Sequence, residues 1–449
     1  MPNTSPIILV HGFFGKAESP DGTKYFGRHH GDLAQKLRLQ GHQVYTVSIG
    51  PFASNWDRAC ELYAQIKGGR VDYGEKHSAH HNHKRFGREY AGFYPQWGDV
   101  VDGQVQKVHL IGHSMGGPTS RMMAQLLAHG TKGAPVEEDP ESHQLFSGGK
   151  DWVLSITTIA SPNQGTTLMD RFFDIADYME DVLAFWFSMK GIWPSKDNTG
   201  MDPMLDQWDV SPRSITEGVH EYLHRVLSSH MFAPGFMDIA PWSLSTEGAK
   251  QENTWVTTLP NVFYYSISTE CTEYNVAKDG TPLYATTRAD KYCISSGLRP
   301  FAKIIASDFT TKTKHFPDTW RANDGVVNTE SMDSDGHGPL IDFNGQSRAG
   351  HWMHFPHVNH VDHASIVGGQ KEVDPTALFL THATILASLP TKTKAKTVVD
   401  APEHVVKRLL VAIASLTNRE PPPVVAPVRP SRISSLWNIF NRRPKQSIV

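Results

Sequence analysis

Gly112-His113-Ser114-Met115-Gly116 constrains this chain more than any other five residues, because of what flanks it. Upstream, Lys107-Val108-His109-Leu110-Ile111 reads as a buried strand. Downstream, Gly117 to Ala128 has the apolar spacing of a helix. A serine between strand and helix sits on a tight turn that drives its hydroxyl out of the sheet. Glycines flank it because a Cβ there would strike neighbouring backbone. The following helix turns its first N–H groups and its dipole toward the hydroxyl, which favours negative charge developing there. A glycine-rich turn holding a serine by chance would need neither flank.

A second loop stands where chemistry at Ser114 would need it. Pro6-Ile7-Ile8-Leu9-Val10 is a short buried-strand run that ends in His11-Gly12-Phe13-Phe14-Gly15. Beside a serine elbow, an H-G loop of this kind donates one backbone N–H to an oxyanion hole, and the residue after the serine donates the other. That nominates the main chains of Phe13 and Met115. Removing one such donor costs roughly 3 kcal/mol of barrier lowering. The chain order Ser, Asp or Glu, His places the other partners downstream. Asp324 is preferred as the acid because its polar turn runs into Val326-Val327; Asp318, Asp333 and Asp335 lack an apolar anchor. His354, His357, His360 and His363 crowd one loop. His363 is preferred because the apolar segment Ala364 to Gly368 can fix its backbone.

Strands are expected at Pro6–Val10, His42–Ser48, Lys107–Ile111, Val153–Ile159 and Val262–Ile267, and helices at Arg28–Gln40, Trp56–Ile66, Gly117–Ala128, Thr216–Ser228 and Pro375–Ala387. This alternation indicates an α/β fold with a mostly parallel central sheet covered on both faces. Because the candidate residues span Ser114 to His363, one catalytic domain is expected over 1–390, with a cap inserted at about 163–248. Leu168 to Trp193 sets Asp174, Asp177, Glu180 and Asp181 among Phe172, Phe173, Phe185, Trp186 and Phe187, an amphipathic helix with a wide apolar face. Residues 391–449 read as an extension: a helix over Glu403–Thr417, a Pro-rich linker from Pro421, and a tail whose five basic residues from Arg429 onward have no acidic neighbours.

A net charge of −3 makes no electrostatic case for nucleic acid. Three cysteines, Cys60, Cys271 and Cys293, cannot all pair and form no disulfide framework. No apolar run approaches the roughly 18–20 residues of a membrane span. Met1 to Ser5 leads straight into the first strand, without a signal peptide. The expected location is therefore cytoplasmic or on a lipid surface, or outside the cell if a leader has been removed.

Several blocks carry a resemblance to a known family: Ser54-Asn55-Trp56-Asp57-Arg58-Ala59-Cys60-Glu61, Val71-Asp72-Tyr73-Gly74, Arg85-Phe86-Gly87-Arg88, the serine elbow, Asn323-Asp324-Gly325-Val326-Val327-Asn328 and Val361-Asp362-His363. From Pro6 to about Pro390 the chain resembles the true lipases of the thermoalkalophilic Bacillus-type and staphylococcal family. The resemblance implies an α/β-hydrolase fold with Ser114, Asp324 and His363 as its triad, and Phe13 and Met115 as oxyanion donors. It also implies a lid over Leu168–Trp193 and acylglycerol ester substrates. A phospholipase, galactolipase or acyltransferase on the same triad, and a catalytically silent lipid-binding protein, are the competing readings.

Metals enter through the same resemblance. Among the 24 histidines, His77-Ser78-Ala79-His80-His81-Asn82-His83 is the densest run, and histidine with carboxylate suits Zn²⁺. Residue patterning leaves four histidines open. The resemblance implies a structural zinc held by Asp57, His77, His83 and Asp238 in an added segment at about 54–90, with His80 and His81 facing solvent. It also implies calcium ligands two residues after His363 and at an Asp-Pro further on. Here Ser365 fills the first position, and Asp374-Pro375 is displaced by Gly369-Gln370-Lys371-Glu372, so no calcium is expected.

Overall fold

A computed structural model describes residues 3–19, 22–173, 202, 204–214, 216–233, 235–276, 282–285, 294–307 and 316–417. Among the described residues, seven strands form one sheet: β1 (Ile7–Val10), β2 (Val44–Thr46), β3 (Val108–His113), β4 (Val153–Ile159), β5 (Phe263–Ile267), β6 (Leu340–Asp342) and β7 (Trp352–His354). Their order is β6-β7-β5-β4-β3-β1-β2, and every pairing is parallel. The α/β expectation therefore holds, with a central sheet that is parallel throughout.

Strand geometry sends alternate side chains to opposite faces. Ile7 and Leu9 of β1 enter one buried cluster, and Ile8 and Val10 enter another. The first cluster is closed by α1 (Leu33–Leu39), the helix Arg299–Ser307, α4 (Thr376–Ala387) and α5 (Glu403–Thr417). The second is closed by α2 (Asn55–Lys67) and α3 (Gly116–His129). A sheet buried on both faces explains why its strands read as unbroken apolar runs. A third cluster joins Leu205, Trp208, Tyr222, Met231 and Ile239 to Phe52 and Ala53.

Most expected elements are present with shifted ends. The helix expected from Arg28 begins only at Leu33, because the Asp32 side chain accepts from Ala34 and Gln35 N–H and Gly27 and Gly31 hold positive φ before it. The strand expected over His42–Ser48 contracts to Val44–Thr46 at the sheet edge. The two short strands β6 and β7 carry no periodic signal and were not expected. The helix at Glu403–Thr417 is as expected, and its Leu409, Ala412, Ile413 and Leu416 complete the core.

Of Leu168 to Trp193, only the first turns are described. Thr167–Phe173 is helical, with Leu168 and Met169 fully buried and Asp170 accepting from Thr246; positions 174–200 lie outside the described residues. The Pro-rich linker and basic tail also lie outside them. Among the described residues, no helix is long and apolar enough to cross a membrane.

Candidate active site

The direction of winding changes between β1 and β3, since β2 lies beyond β1 while the next strand returns to its other side. Parallel sheets bind ligands at such a switch point, at the carboxyl ends of the strands. Both sequence candidates meet there. Ser114 follows β3 with φ +55, a left-handed conformation a non-glycine residue rarely holds. Met115 caps α3, so its backbone stands at the helix N-terminus. The glycines are sterically required. A Cβ on Gly116 would lie 2.2 Å from the Val10 carbonyl oxygen, and one on Gly112 would lie 2.3 Å from the Gly116 carbonyl carbon. The His11-Gly12-Phe13 loop presses on the serine: a Cβ on Gly12 would come within 2.6 Å of Ser114 Cβ.

Asp324 and His363 are brought together. His363 Nδ1–H donates to Asp324 Oδ2 at 2.7 Å, and the His363 N–H donates to the Asp324 carbonyl at 3.0 Å. The Asp324 carboxylate is fully buried and held by Thr269 Oγ1 and by the N–H groups of Val326 and Val327. The other acids are engaged elsewhere. Asp333 accepts from Ser268 Oγ, Asp335 pairs with buried Arg121, and Asp318 is exposed beside Arg321. Of the other histidines, His354 is buried against Ser266 Oγ, His357 is exposed and His360 is half-buried.

Tyr25, a position with no pattern signal, and His113 of the serine elbow tie these pieces together. Gly12 N–H donates to the Tyr25 hydroxyl at 3.0 Å, and Tyr25 donates to His113 Nδ1 at 2.7 Å. His113 Nε2–H then donates to the His363 carbonyl at 2.8 Å. Because the carbonyl accepts only, this chain sets the direction of every proton in it. It links the His11-Gly12-Phe13 loop, the serine elbow and the loop that carries His363. Burial pushes the Tyr25 hydroxyl up to about 12, so it stays protonated to donate. Behind the same loop, fully buried Arg58 donates to the carbonyls of His11 and Gly50 and to Thr119 Oγ1. Burial lowers Arg58 to about 10, which leaves a guanidinium cation beneath the His11-Gly12-Phe13 loop at neutral pH.

A separate cluster gathers Asp57, His77, His83 and Asp238. His77 Nε2 lies 3.3 Å from Asp57 Oδ1 and 3.4 Å from Asp238 Oδ2; His83 Nε2 lies 3.9 and 3.2 Å from the same two atoms. All four atoms are buried without a hydrogen-bond partner, a costly arrangement unless a cation lies between them. A tetrahedral ion with bonds of about 2.0–2.1 Å has edges near 3.4 Å, so the donor set fits one. Outer partners orient these groups: His83 Nδ1–H donates to the Lys84 carbonyl, which directs Nε2 inward, and Gln207 Nε2 donates to the other Asp57 oxygen. His80 is exposed as expected. His81 is instead half-buried, its ring 4.6 Å from that of His77.

Residues 3–378 match the family model described as "Lipase-like, C-terminal domain". The chain belongs to this lipase-like family. It is 32% identical over 376 residues to a lipase of Staphylococcus epidermidis and 31% identical over 377 residues to lipase 2 of Staphylococcus aureus. Each match takes in 82% of this chain and 50% of the relative, so the chain spans about half the length of these curated relatives. Among solved structures, EstA from Clostridium botulinum is 35% identical with a TM-score of 0.75, covering 88% of this chain and 89% of that one. Lipase 1 from Pelosinus fermentans is 36% identical with a TM-score of 0.72, covering 86% and 100%. The Staphylococcus hyicus lipase is 27% identical with a TM-score of 0.67, covering 92% and 96%. The fold of this lipase-like chain extends past the matched region, since α5 packs into the same core. Cys60 and Cys271 are buried, and Cys293 lies outside the described residues.

Proposed function

We propose that this lipase-like protein is a serine ester hydrolase that cleaves acylglycerol ester bonds. The observation that carries the reading is the buried Asp324–His363 pair tethered through His113 to the strained serine elbow. His363 Nε2 takes the Ser114 proton as Oγ attacks the ester carbonyl. Asp324 keeps Nδ1 protonated and stabilises the imidazolium. The tetrahedral oxyanion is met by the N–H groups of Phe13 and Met115, with the α3 dipole behind Met115. Collapse expels the alcohol, which takes the proton from His363 and leaves an acyl-serine. Water, deprotonated by His363, then attacks the acyl carbon; the acyl–Oγ bond breaks, His363 returns that proton to Ser114 Oγ, and the fatty acid is released.

Asp57, His77, His83 and Asp238 hold a structural Zn²⁺ in this reading. Four protein ligands leave no open position for water, so the ion crosslinks segments distant in sequence rather than activating a nucleophile. The catalytic unit in this reading spans 1–390, closed by the packing of α5 and carrying a cap at 163–248, and the role assigned to Leu168–Trp193 is that of a lid acting at a lipid–water interface. The test is hydrolysis of emulsified triacylglycerol and of short soluble esters by wild type and Ser114→Ala. Loss of both activities in the variant is expected. Full ester hydrolysis by Ser114→Ala overturns the proposal.

A further inference from the structure

The position just before His363 behaves unlike a cation ligand. Asp362 is fully buried, and both of its oxygens are filled. Oδ1 accepts from Ser365 N–H at 2.8 Å and from Ser365 Oγ; Oδ2 accepts from Ser295 N–H at 2.8 Å and from Gln370 Nε2. Four donors match the four lone-pair directions of a carboxylate. None of the four is a charged group.

The two positions where the resemblance implies calcium ligands are engaged within the protein. Ser365 directs its hydroxyl hydrogen at Asp362. Asp374 Oδ1 accepts from Thr376 N–H and Oγ1 and faces His30 Nδ1 at 3.8 Å. Calcium needs six to eight oxygen ligands turned toward it. Ser365 gives its hydrogen to Asp362, whose own lone pairs are filled, and Asp374 accepts within its own turn, so the residues present do not fit the ion.

Gln370 belongs to the four residues that displace Asp374-Pro375. Its side chain reaches Asp362 while its carbonyl accepts from His30 Nε2–H at 2.8 Å. Beside it, Gly27 N–H donates to the Val367 carbonyl and His29 N–H to that of Gly368, where a Cβ would lie 2.9 Å from Gly27 Cα. The inserted segment thus binds the His363 loop to the 27–30 loop.

We infer that Asp362, saturated by Ser295, Ser365 and Gln370, positions the His363 loop through protein hydrogen bonds alone, so that the active site assembles without calcium. The inference rests on His363 being the catalytic base. The test uses the full chain in buffer depleted of calcium by a resin rather than a soluble chelator, which leaves the Asp57–His77–His83–Asp238 metal in place. Adding millimolar CaCl₂ should change neither Tm nor kcat on a short soluble ester. Gln370→Leu should lower kcat roughly tenfold or more with KM unchanged, as for a misplaced catalytic group, and calcium should not restore it. Ser365→Ala, which keeps the backbone donor, should show the same split more weakly. A calcium-dependent rise in wild-type Tm or kcat, or wild-type kcat in Gln370→Leu, overturns the inference. His363→Ala separates the two levels: full activity there overturns the catalytic reading itself, whereas an inactive His363→Ala beside a calcium-responsive wild type overturns only the calcium-free lock.

Discussion

Replacing Gly12 by alanine tests the contact between the oxyanion loop and the nucleophile with a single methyl group. Its Cβ would lie 2.6 Å from Ser114 Cβ, 3.0 Å from Ser114 Oγ and 3.0 Å from the Tyr25 hydroxyl. Carbon atoms rest at about 3.5–4.0 Å, so loop and elbow must separate by about 1 Å. Neither side yields readily. Gly12 is tethered to Tyr25, and Ser114 N–H is bonded to the Ile159 carbonyl. The φ of Gly12 is not among the positive values, so alanine suffers no left-handed strain, and its lower unfolded-state entropy offsets part of the steric cost. Displacing the Phe13 donor by about 1 Å should lower kcat about a hundredfold, roughly 2.7 kcal/mol of barrier, with a small change in Tm. The assay is steady-state hydrolysis of a short soluble p-nitrophenyl ester beside a thermal melt. A folded Gly12→Ala protein that keeps kcat within threefold of wild type refutes the assigned loop.

Further outcomes follow from other contacts. Asp324→Asn should fold yet lose on the order of 10⁴ in kcat, because the amide no longer stabilises the imidazolium or holds its tautomer; a loss under tenfold would remove Asp324 from the triad. His83→Ala should lower bound zinc, measured by elemental analysis at about one ion per wild-type chain, and lower Tm while sparing hydrolysis at low temperature. Full zinc content in His77→Ala/His83→Ala would show that other ligands hold the ion. Burial lowers His109 and His382 to about 3, far below the ordinary 6.5. The unfolded chain therefore binds protons there that the folded chain refuses, so stability is full above pH 6.5 and is lost as pH falls toward 3. Each should contribute about 2 kcal/mol of loss by pH 5. Urea midpoints at pH 8 and 5 check this, and an unchanged slope in His382→Gln contradicts it.

Much of the site was legible because its chemistry is written in short contiguous stretches. The serine elbow needs a strand, two glycines and a helix within about twenty positions, and both the backbone φ and the glycine contacts bear out that local demand. Asp324 and His363 could be ranked because each adjoins an apolar segment that fixes its backbone. The strands β6 and β7 could not be read, since three-residue segments stabilised by pairing with distant strands carry no period. Tyr25 left no signal either, as nothing near it in sequence hints at a hydrogen bond to a histidine 88 positions away.

The alternation of strands and helices, the elbow, and the residue types able to act as nucleophile, acid, base and metal ligand are all written in the linear chain. Those follow from local sterics and from the period of apolar side chains, which neighbouring residues are enough to express. Which of these groups meet is settled by folding in three dimensions. The proton-directed chain from Gly12 through Tyr25 and His113 to His363, the four convergent buried atoms of Asp57, His77, His83 and Asp238, and the saturation of Asp362 by Gln370 each depend on close placement of distant segments. Hydrogen bonds and coordination are directional and short-ranged, so they come into being only once the sheet has packed both of its faces.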